Sequence, residues 1–127
     1  MFREADAVWT DSPYVGKGSV SLPSRVLSNT TYVIGAADIG NQTTPGELLA
    51  AAIASSVSAT IALKMTRLGA RPASVSTHAT ILLEQLVDTW RSATVHLDVT
   101  AQISETDVRF LEEALRRLRL IVPLQAI

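Results

Sequence analysis

Few side chains in this sequence are of a kind that makes or breaks bonds, and their spacing limits what each could do. Cysteine is absent from all 127 residues, which removes disulfides, thiolate nucleophiles and cysteine-ligated metal together. The two histidines, His78 and His96, could act as general bases or as metal ligands. A serine hydrolase needs a nucleophile, a base and an orienting acid; Ser55 or Ser56 with either histidine are the nominees. Neither serine lies on a Gly-x-Ser-x-Gly elbow. Both sit inside an apolar helical segment, where a hydroxyl is ordinarily satisfied by a carbonyl one turn back. Hydrolysis therefore has no local signature. For a metal, no histidine or carboxylate stands three or four residues from His78 or His96, as sites on single elements usually show. A two-residue hairpin loop would point the two histidines to opposite faces, and a longer loop would relax that. The expectation is two surface strand histidines and no metal. Arg109, Arg116, Arg117 and Arg119 could form a basic patch, but their glutamate neighbours favour a solvated helix face. Gly16-Lys17-Gly18 could cradle an anion, although two glycines around a lysine make a turn in most chains.

The element that would carry the serines runs from Thr44 to Gly69. Thr44 can cap a helix, with Pro45 in its first position and Glu47 completing a capping box. Lys64 and Arg67 suit the C-terminal dipole, and Gly69 supplies the stop. No charge falls between Leu48 and Leu63, so this helix should be buried all round as the core of a soluble domain. The apolar run is shorter than the roughly 18 residues of a membrane span. Ala51, Ser55, Ala59 and Ala62, with Ala52, Ser56 and Thr60 beside them, form rows that let a second backbone approach closely.

Around it, Arg3–Thr10 and Ser19–Leu22 alternate as strands, with a brief β segment at Thr31–Ile34 and a linker from Gly35 to Thr43. Ser74–Leu83 alternates with Val75, Thr77, Ala79 and Ile81 on one side. Trp90–Ile103 repeats the pattern with Leu97, Val99 and Ala101, giving a long antiparallel hairpin with one wet face. Ser104-Glu105-Thr106-Asp107 opens a second helix whose apolar stripe is Val108, Leu111, Leu115, Leu118 and Val122, closed by Pro123. Glu112 with Arg116, and Glu113 with Arg117, stand at favourable helical spacing. The fold class is α+β, two helices against antiparallel sheet in a single domain spanning residues 1–127.

Composition narrows the partners. Hydrophobic residues make up 47%, which argues against disorder. A net charge of −1 leaves no electrostatic footprint for nucleic acid or an anionic membrane. Met1-Phe2-Arg3-Glu4 begins no signal-peptide pattern, so the cytoplasm is the expected location. No cofactor motif is present.

In the order Ala7-Val8-Trp9-Thr10, Gly16-Lys17-Gly18, Thr44-Pro45-Gly46-Glu47-Leu48-Leu49-Ala50-Ala51-Ala52, Gly69-Ala70-Arg71-Pro72-Ala73-Ser74-Val75, Leu82-Leu83-Glu84 and Val122-Pro123, the chain resembles the osmotically inducible protein C and organic hydroperoxide resistance family. That resemblance implies an intertwined homodimer, two long central helices wrapped by sheets from both chains. Active members reduce organic hydroperoxides with two cysteines, an arginine and a glutamate. The first cysteine's place looks like Ser56, the second's like Val122 and the glutamate's like Gly46. Lys17 is the nearest basic candidate for the arginine. A serine hydroxyl cannot pass through a sulfenic acid to a disulfide. The resemblance thus implies a scaffold without thiol peroxidase chemistry. The expected function is a non-catalytic dimer binding a small apolar ligand in an interface pocket of Ser55, Ser56, Val57, Val122 and Lys17. The alternative is a stress or detoxification enzyme using groups other than cysteine.

Overall fold

Among the described residues, two helices and two antiparallel sheets give the α+β character the patterning predicts. The computed structural model describes residues 2–11, 16–34, 40–86 and 89–118, without the side chains of 83–86 and 89–93. The chain divides into two compact units, Met1–Leu48 and Leu49–Ile127.

In the first unit β1 (Asp6–Thr10), β2 (Lys17–Ser21) and β3 (Thr30–Tyr32) form an antiparallel sheet in that order. Trp9, Gly18 and Tyr32 are direct neighbours across the three strands. The Trp9 and Tyr32 rings meet there with centroids 5.7 Å apart. Gly18 lies under the Tyr32 ring so closely that a Cβ would overlap it. This close approach is what the glycine is for. It corrects the reading of Gly16-Lys17-Gly18 as a turn: Lys17 pairs with Thr10 inside the ladder, and Gly18 with Trp9. The expected linker is also partly tied down. Val33 N donates to the Thr43 carbonyl at 2.9 Å and Thr43 N to the Thr31 carbonyl at 3.2 Å.

Helix α1 (Pro45–Arg67) has the boundaries its end signals predict. Glu47 N donates to Thr44 Oγ1 at 3.1 Å, the capping bond itself. The Glu47 carboxylate accepts from the Thr43 hydroxyl at 2.9 Å. At the far end Gly69 has φ +101°. Ala70 N reaches the Met65 carbonyl at 2.9 Å and Gly69 N that of Thr66 at 3.1 Å, a Schellman closure that needs a left-handed residue.

In the second unit β4 (Ser74–Leu86) and β5 (Thr89–Gln102) form the hairpin, followed by a single 3-10 turn (Glu105–Asp107) and α2 (Val108–Arg116). The core is a ridge of α1 at steps of four, Ile53, Val57, Ile61 and Met65, joined by Ala70 and Ala114. Val75, Ile81, Leu97 and Val99 of the hairpin pack on it, with Phe110, Leu111 and Leu118. Removing a Val, Ile or Met side chain wholly from water stabilises by about 1.5–3 kcal/mol, so this ridge anchors the unit. Ser58 and Thr77 hydroxyls, 2.7 Å apart, join α1 to β4 inside the contact.

Four expectations are corrected here. Helix α1 is not buried all round, because the hairpin and α2 cover only the ridge side: Ala51, Ala52, Ser55, Ser56, Ala59 and Leu63 are exposed. At 23 residues it is also long and apolar enough, by length and composition alone, to cross a membrane. The inward face of α2 is rotated from the predicted stripe. Phe110 and Ala114 turn inward with Leu111 and Leu118, while Val108 is 45% and Leu115 42% exposed. Arg116 pairs with Glu113 at 3.6 Å rather than with Glu112, and Arg117 with Glu113 at 2.8 Å. Val122 and Pro123 lie outside the described residues.

Ile61→Ala, which empties part of the ridge, should lower stability by about 2–5 kcal/mol in urea unfolding. Gly18→Ala should cost about 1–3 kcal/mol by overpacking, and Tyr32→Ala in the same chain should recover part of that loss. Strict additivity of the two changes would show that the ring overlap is not the cause.

Candidate functional site

The period of β4 decides which side chains meet α1. Thr77 faces the helix, bonded to Ser58, so its neighbours His78 and Ser76 face away and are exposed. On β5 the register pairs Thr77 with Val99, Ala79 with Leu97 and Ile81 with Val95. This keeps apolar residues opposite apolar residues. The hairpin closes at Leu86 and Thr89, a two-residue connection, yet a shift between Glu84 and Gln85 leaves one extra β5 residue, Arg91, without a partner of its own. Without that bulge Thr77 would face Asp98, and each β5 side chain would change face.

The bulge therefore also decides where the histidines point. His78 stands opposite Asp98, and His96 opposite Thr80, so both lie on the same outer face. A plain two-residue register would have separated them. His96 Nε2 is 3.2 Å from Asp98 Oδ1, with both side chains largely in water. Among the described residues no group of three or more His, Asp or Glu side chains is arranged to hold a metal ion.

The nominated nucleophiles lie on the other side of the layer. Ser55 donates its hydroxyl to the Ala52 carbonyl at 3.0 Å, the local bond expected of a mid-helix serine. Ser55 and Ser56 are on the side of α1 turned away from the hairpin, whereas His78 and His96 are on the hairpin face turned away from α1. The helix and the sheet stand between serine and histidine, so no Ser-His pair forms.

Of the residues nominated for a ligand pocket, Ser55 and Ser56 share the exposed, uncharged face of α1. Val57 points the opposite way and is fully buried on the core ridge. Gly46 is in the first turn of α1, half-buried. Lys17 is an exposed residue of β2 in the first unit, and Val122 lies outside the described residues. The fold thus groups the two serines with Ala51, Ala52, Ala59 and Leu63, and separates them from Val57. Leu63 carried no signal of its own in the sequence, because its side of the helix is known only once the ridge is. The fold also brings Lys64 and Arg67 to Arg117 at the end of α2, a meeting that spacing along the chain does not announce.

Both histidines being solvated, His78→Ala and His96→Ala should each change stability by less than about 0.5 kcal/mol. Thermal unfolding should show the same midpoint with and without equimolar zinc; a raised midpoint that either substitution abolishes would establish a metal site.

No protein-family model and no curated protein matches this chain, so the likeness to the osmotically inducible protein C family rests on the residues alone.

Proposed function

We propose that the chain is a non-catalytic, dimeric scaffold of the osmotically inducible protein C type that holds a small apolar ligand at its interface. The observation that carries this reading is the exposed face of α1. Ala51, Ala52, Ser55, Ser56, Ala59 and Leu63 are all open to water, on a helix without charge from Leu48 to Leu63. An uncharged face with side chains this small suits close approach of another helix. A second copy of α1 would offer the same surface in return, as a two-fold interface requires. The two-stranded β4–β5 sheet supports the same conclusion. Its strands are 13 and 14 residues long, and among the described residues neither outer edge has a ladder partner. Long unpaired edges are ordinarily paired or covered.

In such a dimer Ser55 and Ser56 would supply the polar points of an otherwise apolar interface, the composition expected of a small-molecule site. Thiol chemistry is absent because the sequence has no cysteine, and the hydroxyl of Ser56 offers no redox substitute. Native mass spectrometry should show a dimer carrying mass that leaves on denaturation. Ala52→Leu and Ser56→Leu should each weaken the dimer by about 1–3 kcal/mol through overpacking; wild-type dimer mass and midpoint in both would refute the close helix contact. Turnover of cumene hydroperoxide with a dithiol donor should not exceed buffer, and rates well above it would replace the scaffold with an enzyme.

A further inference from the structure

Three cationic side chains meet where the two helices of the second unit end. Lys64, Arg67 and Leu68 from the end of α1 and Arg117 from the end of α2 line a cleft of about 320 Å³. Helix C-termini attract cations on their own account, so the bonds at each end decide whether positive charge is left over. At α1 the terminal carbonyls are closed by backbone amides: Leu68 N on Lys64 and Met65, Gly69 N on Thr66, and Ala70 N on Met65. They do not draw on Arg67. At α2 the Lys64 ammonium donates to the Arg117 carbonyl, and Arg117 N closes on the Glu113 carbonyl. The Glu113 carboxylate is shared between two guanidiniums, Arg117 at 2.8 Å and Arg116 at 3.6 Å. Among the described residues the Arg67 guanidinium has neither an ion pair nor a hydrogen bond. The cleft thus gathers positive charge that one shared carboxylate does not neutralise, in a chain whose net charge is −1.

We propose that this cleft binds a small oxyanion, a phosphate or carboxylate group. Arg67 would meet it with the guanidinium fork that matches paired oxygens, and Lys64 and Arg117 would flank it as fixed charge. Its lining residues are distinct from those named for the exposed face of α1.

The test is calorimetric titration of the full chain with inorganic phosphate and, separately, with citrate, in dilute buffer free of both. A saturable heat with at least one probe, weakened by added sodium chloride as screening requires, is the expected result. Arg67→Gln, exposed and helix-compatible, should lose affinity by about tenfold or more. Arg109→Glu, whose native side chain lies over the Phe110 ring on α2, should leave binding within about threefold of wild type. Circular dichroism of each variant verifies the fold. Binding of phosphate alone assigns a phosphate group, and of citrate alone a carboxylate. No heat from either probe up to about 10 mM, undiminished binding by Arg67→Gln, or equal loss in Arg109→Glu would each overturn the proposal.

Discussion

The contact between the Ile53–Val57–Ile61–Met65 ridge and the inner face of the β4–β5 hairpin is the constraint on which the second unit depends. Residues at steps of four form an inclined row on a helix, and here that row is the part of α1 withdrawn from water. Val75, Ile81, Leu97 and Val99 supply the opposing surface. Because α1 carries apolar or small residues on every side over most of its length, nothing in its own pattern selects one face as inward. The hairpin makes the selection. Once it has, Ser55 and Ser56 are left facing outward and Val57 inward, although the three are adjacent in sequence.

The same contact sets the hairpin's register. For odd-numbered residues of β4 to meet apolar partners, β5 must offer its own odd-numbered residues, and a two-residue connection cannot deliver that alignment alone. The extra residue at Arg91 reconciles the Leu86–Thr89 pairing with the apolar face. Its secondary effect is to gather His78, His96 and Asp98 on one wet surface. Their proximity follows from core packing, which is reason enough for it without any chemistry. Serine hydrolysis loses ground on this geometry, because the helix and the sheet stand between the nominated hydroxyls and the imidazoles.

Charge is distributed along α1 in a way that separates two surfaces. Its middle is neutral and small-featured, fit for another apolar surface; its end is cationic and meets the end of α2. The neutral face supports the reading of a scaffold completed by a second copy. At the cationic end backbone amides close the α1 terminus and Lys64 serves the α2 terminus, which leaves Arg67 over. These are different kinds of surface, and neither borrows residues from the other.

Local signals in the sequence determined the limits of α1, because a Thr cap, a Pro at the first helical position and a left-handed Gly act within one turn and need no partner. The alternation of β4 and β5 was equally legible, since a strand half in water shows its period directly. The lack of thiol chemistry is plain from composition. What the tertiary structure alone decided are the faces and the meetings. The inward side of α2 adds Phe110 and Ala114 to Leu111 and Leu118 and leaves Val108 and Leu115 out, since it depends on where the α1 ridge lies. Gly18 belongs to a strand because a ring from β3 must pass over it. Both histidines face one way because a bulge answers to the core. Lys64 and Arg67 join Arg117 because two helices, distant in sequence, end at one place. Each of these depends on contacts between elements, and a period read along one element carries no information about its partner.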